Sequence, residues 1–162
     1  MTLSNNYDVY IGLDVDKNSY VFTVYDEVMK KSKKIPANPG YLFNYVKNNY
    51  PGKRILFAYE AGPTGYNLYD FLKANNQDCL VVSPNSIPKP ACERVKNNRI
   101  DSETIVQQLK SNNLTSIRVP EGPYRELRHL IKTREYYTQL RIRARQRIKA
   151  LLLFEHLYNL IT

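Results

Sequence analysis

Five runs of strand-forming residues between positions 7 and 83 constrain this chain most, because the first three are joined by connections of only a few residues. Residues 7–15 (YDVYIGLDV) read as a buried strand, with Asp16-Lys17-Asn18 as its turn. Residues 19–26 (SYVFTVYD) give a second strand, and 28–36 a third, weaker one that stops before Pro36. Three strands so closely spaced form a meander. A helix is then expected over about 40–49, opened by Pro39-Gly40, with Leu42, Phe43 and Val46 on one face. Residues 54–60 (RILFAYE) follow as a buried strand, 64–75 as a helix with Thr64 as its N-cap, and 79–83 (CLVVS) as the fifth strand.

A loop rich in Pro and Lys (84–100) leads into a helix over about 101–111. The order β-β-β-α-β-α-β then α matches the ribonuclease-H-like fold, an α/β mixed sheet with flanking helices. From Pro120 the character changes. Residues 121–160 have no internal Gly or Pro after Pro123, which predicts one helix of roughly 55–60 Å at 1.5 Å per residue. A 3-4 spacing runs through Leu130, Thr133, Tyr137, Leu140, Ala144, Arg147, Leu151, Phe154, Tyr158 and Ile161, a coiled-coil-like seam broken by Arg147. The expected organisation is a domain over 1–119 and a basic helical segment over 120–162. That segment would meet a partner, its own domain or sequence beyond this chain.

Charge points to a polyanion. The formal net charge is +9. Residues 1–119 carry 15 Lys+Arg against 11 Asp+Glu (+4), and residues 120–162 carry 9 against 4 (+5), so the C-terminal part is denser in positive charge. Arg141, Arg145 and Lys149 fall at i, i+4 and i+8, with Arg143 and Arg147 as a second stripe and no acid between 136 and 154. Such stripes suit salt-dependent contact with nucleic acid; a solvated coiled-coil flank is the ordinary alternative. Two cysteines, Cys79 and Cys92, make neither a disulfide framework nor a zinc site. No apolar run approaches the roughly 20 residues that span a bilayer, and no signal-peptide pattern opens the chain. A soluble intracellular protein is expected, cytoplasmic and with no membrane partner.

Three acids stand where strands end or helices begin: Asp14 in IGLDVDKNS, Glu60 in FAYEAGPTGY and Asp101 in RVKNNRIDSETI. Carboxylates placed this way can converge on Mg²⁺, a hard cation that prefers oxygen ligands. Paired ions of this kind serve phosphodiester cleavage. Each acid read singly also has a structural explanation: a strand-end or turn residue for Asp14, a helix-dipole partner for Glu60, an N-cap for Asp101. Asn98 lies one helical turn before Asp101. Lys96 and Arg99 beside it are candidates for phosphate contact. His129 and His156 are expected on helix surfaces, and no Gly-x-Ser-x-Gly elbow offers an acyl-transfer nucleophile.

Together, GLDVDKNSY, YEAGPTGYNLYDFL and VVSPNSIPKPACERVKNNRIDS resemble the N-terminal domain of the DEDD insertion-sequence transposases, the family numbered one hundred and ten and known as bridge-RNA-guided recombinases. The resemblance runs from about residue 8 to the end. It implies a RuvC-like domain whose Asp, Glu, Asp and Asp bind Mg²⁺ (or Mn²⁺), followed by a coiled-coil segment. It also implies a separate serine domain, with DNA and a noncoding guide RNA as partners. Carried onto this chain, the first, second and fourth acids are Asp14, Glu60 and Asp101, while the third position holds Asn98. An amide still offers a carbonyl oxygen but removes one negative charge, with Asp16 or Glu103 as conceivable compensation. On this reading the chain corresponds to the N-terminal half of a transposase, a homodimer or higher oligomer through its helix. Without a serine domain it is expected to be inactive in recombination. The other reading is a non-catalytic nucleic-acid-binding and oligomerisation module.

Overall fold

The computed structural model describes residues 7–27, 30–84 and 98–160, apart from the side chains of Asn98 and Tyr158. Five strands form one mixed sheet: β1 (Val9–Val15), β2 (Ser19–Tyr25), β3 (Lys30–Pro36), β4 (Ile55–Glu60) and β5 (Asp78–Val82), in the order β3-β2-β1-β4-β5. β1 pairs antiparallel with β2, and β2 with β3; β4 runs parallel to β1, and β5 parallel to β4. The short connections at the start of the chain make the antiparallel hairpins. The two later crossings carry helices α1 (Pro39–Asn49) and α2 (Asn67–Ala74), which parallel pairing requires. Order and directions are those of the ribonuclease-H-like fold.

The central strands are buried on both faces. Val9, Ile11 and Leu13 of β1 join Phe57 and Tyr59 of β4 in a cluster with Leu42 and Val46 of α1 and Leu68 and Leu72 of α2. The alternate residues Leu56 and Ala58 of β4 pack instead with Ile105 and Leu109 of α3 (Asn98–Lys110). One face of the sheet is therefore covered by α1 and α2, and the other by α3. Gly12 sets the closeness of that second layer. A Cβ there would stand 2.6 Å from both the Ser102 carbonyl oxygen and the Val106 nitrogen, distances that only glycine accommodates.

The sheet edges differ. Beyond β5 the backbone amide of Ile117 donates to the Val81 carbonyl oxygen, covering that edge. β3 carries Lys30, Lys31, Lys33 and Lys34 and buries only Ile35, a composition that discourages pairing with another edge.

Several boundaries depart from sequence expectation. α1 begins at Pro39, capped by Asn38, whose Oδ1 accepts from the Tyr41 amide at 3.1 Å. α2 begins at Asn67 rather than 64, because Gly65 takes a positive φ of 70° and holds 63–66 in a turn, so Thr64 is not its cap. α3 begins at Asn98, which puts Asp101 inside the first turn rather than at the N-cap. α2 and α3 end alike. Asn76 and Asn112 adopt left-handed φ of 56° and 55°. The next amide reaches back to close each helix, Gln77 to Leu72 at 2.9 Å and Asn113 to Gln108 at 3.0 Å. This is the Schellman ending, with asparagine where glycine is usual.

The chain divides into two compact units, one through Val119 and one from Pro120. In the second, α4 (Pro123–Phe154) has 32 residues, about 48 Å of helix, and buries none of them. The expected continuous helix to 160 is thus too long. His156, with φ of 58°, ends α4 by the same Schellman device, the Leu157 amide donating to the Leu152 carbonyl oxygen at 2.8 Å. A 3-10 turn (Tyr158–Leu160) follows, so Tyr158 lies off the seam, Ile161 lies outside the described residues, and His156 is a helix-terminating residue rather than a helix-surface one. Among the described residues no helix is long and apolar enough to cross a membrane.

Candidate active site

Strand register and side-chain alternation decide which acids share a face. Gly12 pairs with Ala58, and the next same-face step along the two strands is Asp14 beside Glu60. Both lie at the C-terminal ends of adjacent parallel strands, about 5 Å apart in strand spacing. Because Gly12 and Ala58 meet α3, the face is the α3 face. Asp14 is half-buried near the end of β1; Glu60 is the last residue of β4 and is exposed.

α3 brings the third acid over the same face. Ser102, the neighbour of Asp101, places its carbonyl oxygen against Gly12, two residues before Asp14. Asp101 is half-buried, and Asn98 starts the helix three residues earlier. A line of hydroxyl groups fixes this first turn. Thr23 Oγ1 on β2 is 2.9 Å from Ser102 Oγ and 2.9 Å from Ser32 Oγ on β3, and Ser102 Oγ donates to the Arg99 carbonyl oxygen at 2.9 Å. Thr23 and Ser102 are fully buried, where an unmade hydrogen bond costs most. Sequence reasoning missed this pair, although the parity of Thr23 with Gly12 across the β1–β2 hairpin carries the signal.

Glu103 is committed elsewhere. Lys30 Nζ meets its carboxylate at 2.8 Å, Arg99 Nε at 2.9 Å, and Ser32 Oγ donates to it at 3.3 Å. The hydrogen bond from Lys30, then that from Arg99, holds its carboxyl below the usual range. It ties β3 to α3. Asp16 is exposed in the turn after β1 and accepts from the Asn18 amide at 3.0 Å, the turn role its position suggested. Arg99 is exposed at its side chain while bound to Glu103. Lys96 and Cys92 lie outside the described residues. Cys79 is buried, which pushes its thiol up to about 12 and makes it an unreactive core residue.

The other basic candidates sit on α4. Arg141, Arg143 and Arg145 are exposed and Lys149 is half-buried. Arg141, Arg145 and Lys149 line a cavity of about 340 Å³ with Ala144, Ile148, Leu152 and Leu160, the last from the returning 3-10 turn. The stripe is therefore a mixed surface, with charge flanking an apolar groove.

Asp14, Glu60 and Asp101 thus share one face and one end of the sheet. They are not gathered to a point: among the described residues no group of three or more His, Cys, Asp or Glu stands close enough to hold a metal ion. By donor chemistry, carboxylate oxygens fit a hard divalent cation.

The protein named "Putative transposase y4qE" of Sinorhizobium fredii (strain NBRC 101917 / NGR234) is 35% identical over 101 residues, 62% of this chain and 26% of that protein. The transposase for insertion sequence element IS1533 of Leptospira borgpetersenii is 29% identical over 108 residues, 64% of this chain and 31% of that protein. The chain thus spans less than a third of the length of these relatives. Among solved structures, T. thermophilus RuvC in complex with Holliday junction substrate is similar over 67% of this chain and 99% of that one, with a TM-score of 0.44 and 7% identity. A family model described as "Transposase", of the DEDD IS110 type, matches residues 11–156. The chain belongs to the IS110-type DEDD transposase family.

Proposed function

We propose that this chain is the metal-binding, RuvC-like part of a DNA recombinase, acting in strand cleavage and exchange guided by a noncoding RNA. The observation that carries the reading is the shared face: Asp14 and Glu60 on adjacent parallel strands, with Asp101 in the first turn of α3, the helix that lies on Gly12. Asp14, Glu60, Asn98 and Asp101 would hold Mg²⁺ or Mn²⁺. When bound, such an ion stabilises charge developing on a phosphodiester and activates the attacking group. The chain's own part is positional. β1 and β4 fix two carboxylates rigidly, the Thr23–Ser102 hydroxyls hold the first turn of α3, and Asn98 contributes a neutral oxygen in place of a third charge.

The family likeness supports a composite enzyme, with a serine-bearing domain completing the site and the unit from Pro120 serving assembly and nucleic-acid contact through Arg141, Arg143, Arg145 and Lys149. Lys96 and Arg99 are the corresponding candidates beside α3, and the work is done in the cytoplasm, on DNA. A titration with Mn²⁺ tests the site. Saturable binding is expected in the parent, abolished by Asp14→Ala and tightened by Asn98→Asp. Failure of Asn98→Asp to tighten binding removes position 98 from the ligand set.

A second reading, a nucleic-acid-binding and assembly module without chemistry of its own, is favoured by one observation: the acids are not drawn together among the described residues. Absence of saturable Mn²⁺ binding, with DNA binding kept, decides for it.

A further inference from the structure

The register that sets Asp14 beside Glu60 continues to the opposite edge of the sheet. Asp14 pairs with Val21 on β2, and Val21 with Lys34 on β3. Lys34, Val21, Asp14 and Glu60 therefore form one row across four strands. Side-chain parity places Lys34 on the α3 face. Ser32, two residues before it, is bonded to Thr23 and Glu103, and Lys30, two residues before that, is bonded to Glu103 of α3. Two strand spacings set the Lys34 backbone about 10 Å from that of Asp14.

The four lysines of β3 are not equivalent. Lys30 is paired with Glu103, and Lys33 lies over the Tyr45 ring at 4.2 Å. Lys31 and Lys34 are exposed and have no ion-pair partner among the described residues. Protection of an edge strand accounts for lysines on either face alike. It does not distinguish Lys34, in the row of the acids, from Lys31, which pairs with Val24 and points to the α1 and α2 side.

We propose that Lys34 is a DNA backbone-phosphate contact, holding a strand across the α3 face beside Asp14 and Glu60. The inference rests on the function proposed above, and it names a substrate-binding residue outside the acidic set. A long, flexible ammonium suits this task because it needs reach and charge rather than a fixed fork.

The test compares the whole chain with Lys34→Ala, Lys34→Arg and Lys31→Ala, by fluorescence anisotropy with a labelled DNA duplex over a range of salt. Lys34→Ala is expected to weaken binding several-fold at low salt and to reduce the slope of log affinity against log salt by about one. Lys34→Arg keeps the charge and should restore both, while Lys31→Ala should resemble the parent. Equal effects of Lys34→Ala and Lys31→Ala would overturn the proposal, since charge alone would then be read. A parent that binds no DNA, or an effect confined to an RNA of the same sequence, overturns it too. The acidic-site reading fails separately, through absence of Asp14-dependent Mn²⁺ binding, and that result leaves the lysine comparison standing.

Discussion

α3 and α4 are both helices of charged and apolar residues, yet α3 is fixed on a sheet and α4 buries nothing. α3 surrenders Ser102, Ile105, Val106 and Leu109 to the interior. α4 leaves Leu130 68% exposed, Tyr137 63% and Phe154 79%. Helix propensity and periodicity do not separate the two; what differs is the presence of a complementary surface. In the first unit Gly12 lets backbone meet backbone. In the second the apolar seam is an unspent surface of the kind that marks interaction sites.

The strongest way to break this contrast is to push α3 off its sheet. Gly12→Val should destabilise the first unit by about 4 kcal/mol or more, because the clash is with backbone atoms that cannot rotate away. Urea denaturation followed by circular dichroism measures it, and a loss below about 1 kcal/mol would mean that α3 does not sit where the geometry puts it.

A matched pair sharpens the comparison. Leu109→Ala should cost about 2–5 kcal/mol, whereas Leu151→Ala, made on a 58% exposed residue, should stay within about 0.5 kcal/mol in dilute solution. If Leu151→Ala costs as much, and the cost grows with protein concentration, α4 is packed against a second copy. Sedimentation would then show the dimer.

Thr23→Val keeps shape but removes the central hydroxyl between Ser32 and Ser102. A loss of about 1–2 kcal/mol is expected, with amide hydrogen exchange rising in 99–106 before it rises in β4. Uniform exchange across the sheet would assign Thr23 to the core at large rather than to α3.

Glu103 gives a pH signature. Its carboxyl is held low by Lys30 and Arg99, so its stabilisation is present above the unfolded value of about 4.3 and is lost as pH falls toward the folded one. Denaturation midpoints of the parent and Glu103→Gln should therefore differ at neutral pH and converge below about pH 4. Parallel curves would mean the ion pairs are solvent-screened. The smallest effect is expected at His156, whose left-handed backbone favours glycine. His156→Gly should stabilise the end of α4 by a few tenths of a kcal/mol, the relief of about 1–2 kcal/mol from that conformation being largely offset by the greater backbone entropy of glycine, read as slower exchange of the Leu157 amide.

Much of the fold was legible. Alternating apolar runs gave five strands, short connections gave the antiparallel hairpins, and long ones gave the parallel crossings. The acids were legible as positions because they lie at the ends of those runs. Their sharing of one face required register, which periodicity in separate segments cannot supply: Asp14 and Glu60 align only through the Gly12–Ala58 pairing. The end of α4 was misjudged for a local reason. His156 fills a left-handed position where glycine is the usual marker, so the stop signal was hidden in a residue that also occurs within helices. Gly65 had the opposite effect, delaying α2 where a threonine looked like its cap.

The placement of α3 late in the chain, on a face formed by earlier strands, carries a consequence for synthesis. All five strands have been translated by residue 82, but the face bearing Asp14 and Glu60 is covered only after Lys110. A nascent chain halted between those points would own a sheet and two of the carboxylates without the helix that carries Asp101. On the proposed reading, the set of acids that would hold the ion stays incomplete until that second hydrophobic layer closes. Metal affinity would then arise in the same step as the completion of this unit.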